Sequence, residues 1–119
     1  MKLAVVGSRD FDNYPALKAK LDIIHEKKVI TCIVSGGATG ADSLGERWAK
    51  ENNIETQIFY PDWEAFGKSA GYRRNEQIII NSDAVIAFWD GESKGTKHSI
   101  DLAKKYNKPL AVIKFLNPF

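Results

Sequence analysis

Residues 30–42, Ile30-Thr31-Cys32-Ile33-Val34-Ser35-Gly36-Gly37-Ala38-Thr39-Gly40-Ala41-Asp42, pass from an apolar run of strand length through a glycine-rich turn into a segment of helical period. Strand, glycines, helix is the unit from which parallel α/β sheets are assembled. Glycines permit positive φ and close approach to the main chain, while the free N–H groups and the positive dipole end of the next helix attract an anion. The stretch therefore reads as a strand followed by a phosphate cradle, and Gly37→Val should block a ligand there with little loss of fold. Ser35 stands where the G-x-G-x-x-G fingerprint would place its first glycine, so a tight turn that lets the helix pack closely is the competing reading.

The same unit recurs on either side. Strand-length apolar runs occupy Lys2–Val6, Ile30–Val34, Glu55–Phe59, Ala84–Phe88 and Leu110–Lys114. Between them lie helical segments at Tyr14–Lys28, Ala41–Asn52, Tyr72–Asn81 and about Thr96–Tyr106. The first brings Leu17, Leu21, Ile24 and Val29 to one face, and Trp48 belongs to the core face of the second. Four β-α units closed by a strand predict one Rossmann-like α/β domain over residues 1–119, a five-stranded parallel sheet with helices on both faces. In the third helix Ile78, Ile79 and Ile80 form a run too wide for one buried face, from which a two-fold homodimer is expected.

Composition narrows the function classes. An apolar share of 44% in 119 residues supplies one core. The net charge of +2 lacks the strong basic field of a dedicated nucleic-acid binder, so nucleic acid is not expected as a partner, although a localised cationic pocket is compatible with it. No stretch approaches the roughly 18 apolar residues of a membrane span, and MKLAVVGSR runs into a strand instead of a signal-peptide pattern. A cytoplasmic protein without a membrane partner is expected. Cys32 reads as a small buried hydrophobe, and neither His25 nor His98 has a partner at metal-ligand spacing, so no metal and no cofactor is expected.

In open parallel sheets ligands bind beyond the carboxyl ends of the strands, which directs attention to three loops. After strand one, Gly7-Ser8-Arg9 offers a hydroxyl and a guanidinium fork, although Arg9 could instead pair with Asp10 or Asp12. After strand two comes the cradle from Ser35, Gly36, Gly37, Ala38, Thr39 and Gly40 to Asp42. After strand four, Trp89-Asp90-Gly91-Glu92-Ser93-Lys94-Gly95-Thr96 opens another helix, with Ser93 or Thr96 available as a plain N-cap. The stretch from Tyr60 to Asn75 adds Trp63, which either stacks on a base or packs the loop, and the pair Arg73-Arg74. The convergence of these loops on one sheet edge points to a phosphate-bearing, nucleotide-derived small molecule as the ligand.

Together Gly7-Ser8-Arg9, the Ser35–Asp42 loop, Arg74-Asn75, Asp83 and Gly95-Thr96 resemble the SLOG superfamily, and in particular its small YspA-like branch of bacteria and phages. That resemblance covers most of the chain and implies recognition of nucleotides or their derivatives. It also relates the chain to the Lonely Guy phosphoribohydrolases, which cleave the base from a nucleoside monophosphate. By its spacing from Asp83, Arg74 is similar to the arginine of those enzymes, and it is expected to point into the site while Arg73 faces solvent. Their glutamate after the glycine-threonine turn has no match, since His98 and Ser99 occupy that neighbourhood. A hydrolase would need a relocated acid such as Asp42, Asp90, Glu92 or Asp101, with Arg74, Asp42 and Asp90 as the catalytic candidates. Binding without turnover accounts for the missing glutamate directly. The resemblance to the DNA-processing A branch adds single-stranded nucleic-acid binding as a third reading, against which the near-neutral charge argues.

Overall fold

The computed structural model describes residues 1–116. Strands β1 (Lys2–Gly7), β2 (Cys32–Ser35), β3 (Glu55–Ile58), β4 (Ala84–Trp89) and β5 (Leu110–Lys114) form one sheet in the order β3-β2-β1-β4-β5, every neighbouring pair parallel. The helices are α1 (Tyr14–Lys27), α2 (Ala41–Glu51), a short α3 (Trp63–Phe66), α4 (Ala70–Ile80) and α5 (Lys94–Lys105). Along β1 the side chains alternate, as a strand covered on both faces requires. Leu3 and Val5 join the core where α1 and α2 bury Leu17, Leu21 and Trp48. Ala4 and Val6 join the opposite core with Ile78 and Ile79 of α4 and Ile100 and Leu102 of α5. Cys32 is buried in that second core, in keeping with its reading as a small hydrophobe.

Where element ends differ from the expected ones, local geometry supplies the reason. Lys28 is extended (φ −149°, ψ 112°), so α1 stops before Val29, which is exposed instead of facing the core. Asp62 caps α3 by accepting from the Ala65 N–H at 3.0 Å. A 3-10 turn, Gly67–Ser69, then leads into α4, which begins before Tyr72. Ile78 and Ile79 are buried by the protein's own sheet and α5, and only Ile80 is half exposed. The isoleucine run therefore needs no second copy, and the reason for expecting a homodimer falls away. Among the described residues no helix is long and apolar enough to cross a membrane.

Since β2 lies to one side of β1 and β4 to the other, the loops after β1 and β4 leave the sheet in opposite directions, and a crevice opens between them. Ser8, buried at the head of this crevice, ties its two walls together by accepting the Asp90 N–H on Oγ at 3.2 Å.

Candidate functional site

The crevice holds an inner cleft of about 100 Å³, walled by Gly7, Arg9, Ala38, Asp42, Arg74, Asn75, Ser93, Gly95, Thr96 and Ser99. Arg9, Ala38, Arg74, Asn75 and Gly95 also border an outer cavity of about 420 Å³ with Gly36, Gly37, Tyr60, Trp63, Lys68 and Tyr72. The three loops and the arginine marked out in the sequence thus meet at one place.

Within the glycine loop the main-chain donors of Gly36, Gly37 and Ala38 already have partners. The Asp42 Oδ2 accepts from the Gly36 N–H at 3.0 Å and the Ala38 N–H at 3.5 Å, and the Gly37 N–H donates to Ser35 Oγ at 3.3 Å. An incoming phosphate would meet a resident carboxylate at the amides of Gly36 and Ala38. Burial pushes the Asp42 carboxyl up to about 6, against the lowering pull of the Gly36 N–H and of the Arg74 charge. Gly40 (φ +80°) lies against the Ser8 and Arg9 backbone, a structural use of that glycine. At Gly37 (φ +70°) a side chain would run into the Tyr60 ring, so Gly37→Val should disturb the fold as well as any ligand.

The raised Asp42 value has a consequence for stability. A carboxyl that holds its proton more tightly folded than unfolded contributes most below the unfolded value of about 4, and that contribution is lost as pH rises through about 6. Asp42→Asn removes the titration. The variant should therefore gain on the wild type between pH 4 and pH 7 by at most ~3 kcal/mol, which is a two-unit shift converted. Urea unfolding at several pH values reads this difference, and a difference independent of pH would refute it.

Arg74 reaches into the site from α4. Its Nη1 donates to the Gly36 carbonyl at 2.7 Å and its Nε to Asn75 Oδ1 at 3.0 Å. Burial lowers its guanidinium below the ordinary value, the Asp42 charge resists this, and the nearby charge of Arg9 adds to it. Two like charges at one cleft mouth are relieved by an anion between them. Arg73 is exposed, its guanidinium lying 4.5 Å over the Phe66 ring and its Nε donating to Ser69 Oγ at 3.1 Å.

Other expected site residues have hydrogen-bond partners of their own or lie off both cavities. Buried Ser35 donates to Glu46 at 2.6 Å, and Thr39 is exposed without lining either cavity. Asp90 Oδ1 accepts the Glu92 and Ser93 N–H groups, each at 2.8 Å, which holds its carboxyl below the usual range. Trp89 donates from Nε1 to the Ser93 carbonyl at 3.1 Å. Ser93 caps α5, accepting the Thr96 N–H at 3.4 Å. Tyr60, Tyr72 and Lys68 also border the outer cavity, and the aromatic residues between Tyr60 and Tyr72 are the sequence signal for the two rings. Among the described residues no group of three or more His, Cys, Asp or Glu side chains is placed to hold a metal ion.

A family model described as the YspA, cpYpsA-related SLOG family matches residues 1–66, a span that runs from β1 through α3 and includes the first two loops of the crevice. The chain belongs to this SLOG family. The gene 61 protein of Mycobacterium phage D29 is similar to it, 34% identical over 116 residues that cover 92% of this chain and 93% of the phage protein. DNA processing protein A from Helicobacter pylori, described for its single-stranded DNA binding mode, superposes with a TM-score of 0.73 and 26% identity over 94% of this chain. The corresponding protein from Streptococcus pneumoniae gives a TM-score of 0.76 at 21% identity over 96% of this chain, a likeness of fold. This SLOG chain spans only 64% and 50% of those two DNA processing proteins. The Helicobacter likeness corrects the expectation that nucleic acid is no partner. A net charge averages over the whole surface, and binding answers to the charges at one place on it.

Proposed function

We propose that this SLOG domain binds single-stranded DNA along the carboxyl edge of its sheet, with phosphates at Arg9 and Arg74 and bases on the aromatic rings before and within α4. The observation that carries this reading is a set of rings left in solvent beside cations. Tyr60 is 68% exposed, Trp63 58%, Tyr72 51% and Phe66 45%, with Arg9, Lys68, Arg73 and Arg74 around them. Folding gains little from four rings left about half or more in solvent at one edge, whereas a strand of bases stacks on such rings whatever its sequence. The likeness to the Helicobacter protein supports the same reading. Asp62 and Glu64 stand on the same segment, but Asp62 is engaged in capping α3.

The relocated acids fit hydrolysis poorly, since Asp42 and Asp90 each hold main-chain N–H groups, Asp101 pairs with Lys97 at 3.0 Å, and Glu92 is exposed and lines neither cavity. The inner cleft, lined by Arg74 and Thr96, has room for a phosphate group, and with the outer cavity beside it for sugar and base it supports a single phosphate-bearing nucleotide as the second reading.

Fluorescence anisotropy with a labelled oligothymidylate decides between them. Binding should weaken with salt, log K falling by about 0.7 per neutralised phosphate for each unit of log salt. Trp63→Ala or Tyr72→Ala should each lower affinity about tenfold, within the ~1–3 kcal/mol of a lost stacking ring. If the oligonucleotide fails to bind at low salt, or a mononucleotide competes at equal concentration of nucleotide, the DNA reading is overturned.

A further inference from the structure

Arg74 is held from behind by a chain of polar groups whose directions are forced. Its Nε–H only donates, so the Asn75 oxygen must face it, at 3.0 Å. The Asn75 amide nitrogen then faces His98 Nδ1 at 3.3 Å. An amide NH₂ also only donates, so Nδ1 must be bare and the ring proton must lie on Nε2. On the other side Arg74 donates to the Gly36 carbonyl at 2.7 Å, and the Gly36 N–H donates to Asp42 at 3.0 Å. The chain runs from a half-buried imidazole between α4 and α5 to the glycine loop.

We propose that His98 is a positioning residue for the DNA site: its neutral ring sets the Asn75 amide, Asn75 sets Arg74, and protonation of the ring releases Arg74 from the geometry that meets a phosphate. The ligand in this proposal rests on the DNA reading above, whereas the relay belongs to the fold itself. An imidazolium would turn an Nδ1–H toward the Asn75 NH₂, donor against donor. Rotating the amide by a half-turn removes that conflict and creates the same one with the Arg74 Nε–H. Asn75 is buried, so water is poorly placed to resolve either.

The groups around His98 come from both helices. From α4 the Tyr72 ring meets it edge-on at 4.6 Å, and Glu76 favours the imidazolium. From α5 Asp101 also favours the charged ring, though it is paired with Lys97, and Lys94 shares the same hollow. Burial outweighs the two acids and lowers the ring below the usual histidine value, which leaves the chain intact at neutral pH.

The experiment follows the ring nitrogens of His98 and the Nε–H of Arg74 by ¹⁵N NMR on the full chain from pH 8 to pH 4.5, with oligothymidylate affinity measured in parallel. At neutral pH the Nε2–H tautomer should be present. The Arg74 signal should move with the His98 midpoint, and affinity should fall about tenfold through it, the scale of one lost hydrogen bond to a charged group. In His98→Gln the side-chain oxygen accepts from Asn75 without titrating, so the loss of affinity through the His98 midpoint should vanish. Asn75→Asp offers acceptors to both neighbours, so the loss of affinity through the His98 midpoint should disappear. The Nδ1–H tautomer, an Arg74 signal indifferent to His98, or an unchanged step in His98→Gln overturns the proposal. If the relay is seen in the free protein while DNA binds at no pH, the DNA reading fails, and with it the ligand assigned here.

Discussion

Arg74→Ala should weaken binding of single-stranded DNA by about 2 kcal/mol, roughly thirtyfold, while Arg73→Ala changes it far less. The difference follows from placement. Arg74 is half buried, and its donors are fixed by the Gly36 carbonyl and Asn75, so little side-chain entropy remains to be lost when a phosphate arrives. Arg73 is exposed and rests on Phe66, so it contributes mainly a screened charge. Arg74→Lys should recover only part of the loss, because an ammonium cannot serve Gly36, Asn75 and a phosphate in three fixed directions. Anisotropy measured on variants whose thermal unfolding has been checked separates binding from fold. A larger effect of Arg73→Ala than of Arg74→Ala would place the anion elsewhere.

Gly40→Ala should cost about 3 kcal/mol or more in folding stability, lowering the melting temperature by roughly 10–20 °C. Gly40 has φ +80° and ψ −134°, a region essentially closed to residues with a Cβ. A Cβ there would also fall 2.6 Å from the Arg9 carbonyl oxygen and closer still to that of Ser8, and both are backbone atoms that cannot step aside. Gly95→Ala is the matched comparison. It lies in the first turn of α5 with no atom within 4 Å of the added Cβ, so it should be neutral or gain a few tenths of a kcal/mol from helix propensity. Calorimetric melting of the two variants reads both effects, and similar melting points would refute the structural role of Gly40.

Local chemistry accounts for the parts of the site that were legible beforehand. Arg74 borders the inner cleft together with Gly95 and Thr96, while Arg73 lies exposed over Phe66. The roles of Ser35, Asp90 and Gly40 were not legible. Their residue types suit a ligand and a loop equally well, and only the proximity of Glu46 to Ser35, of the Glu92 and Ser93 amides to Asp90, and of the Ser8 and Arg9 backbone to Gly40 decides between the two uses. Asn75 and His98 are 23 residues apart, and their contact exists only because α4 and α5 pack side by side.

The sequence by itself determined the α/β class, the five parallel strands and the edge at which the loops converge. Apolar periodicity, helix-length crossovers and glycines at strand ends are local signals, and a right-handed crossover leaves few topologies to choose from. The tertiary structure alone decided that Asp42 fills the Gly36 and Ala38 amides of the glycine loop, that Ile78 and Ile79 turn inward, and that Tyr60, Trp63 and Tyr72 stay largely in solvent around one cavity. Each of these is a matter of which groups lie within a few ångströms across the chain, and composition and total charge, being sums over the whole molecule, carry no information about such distances.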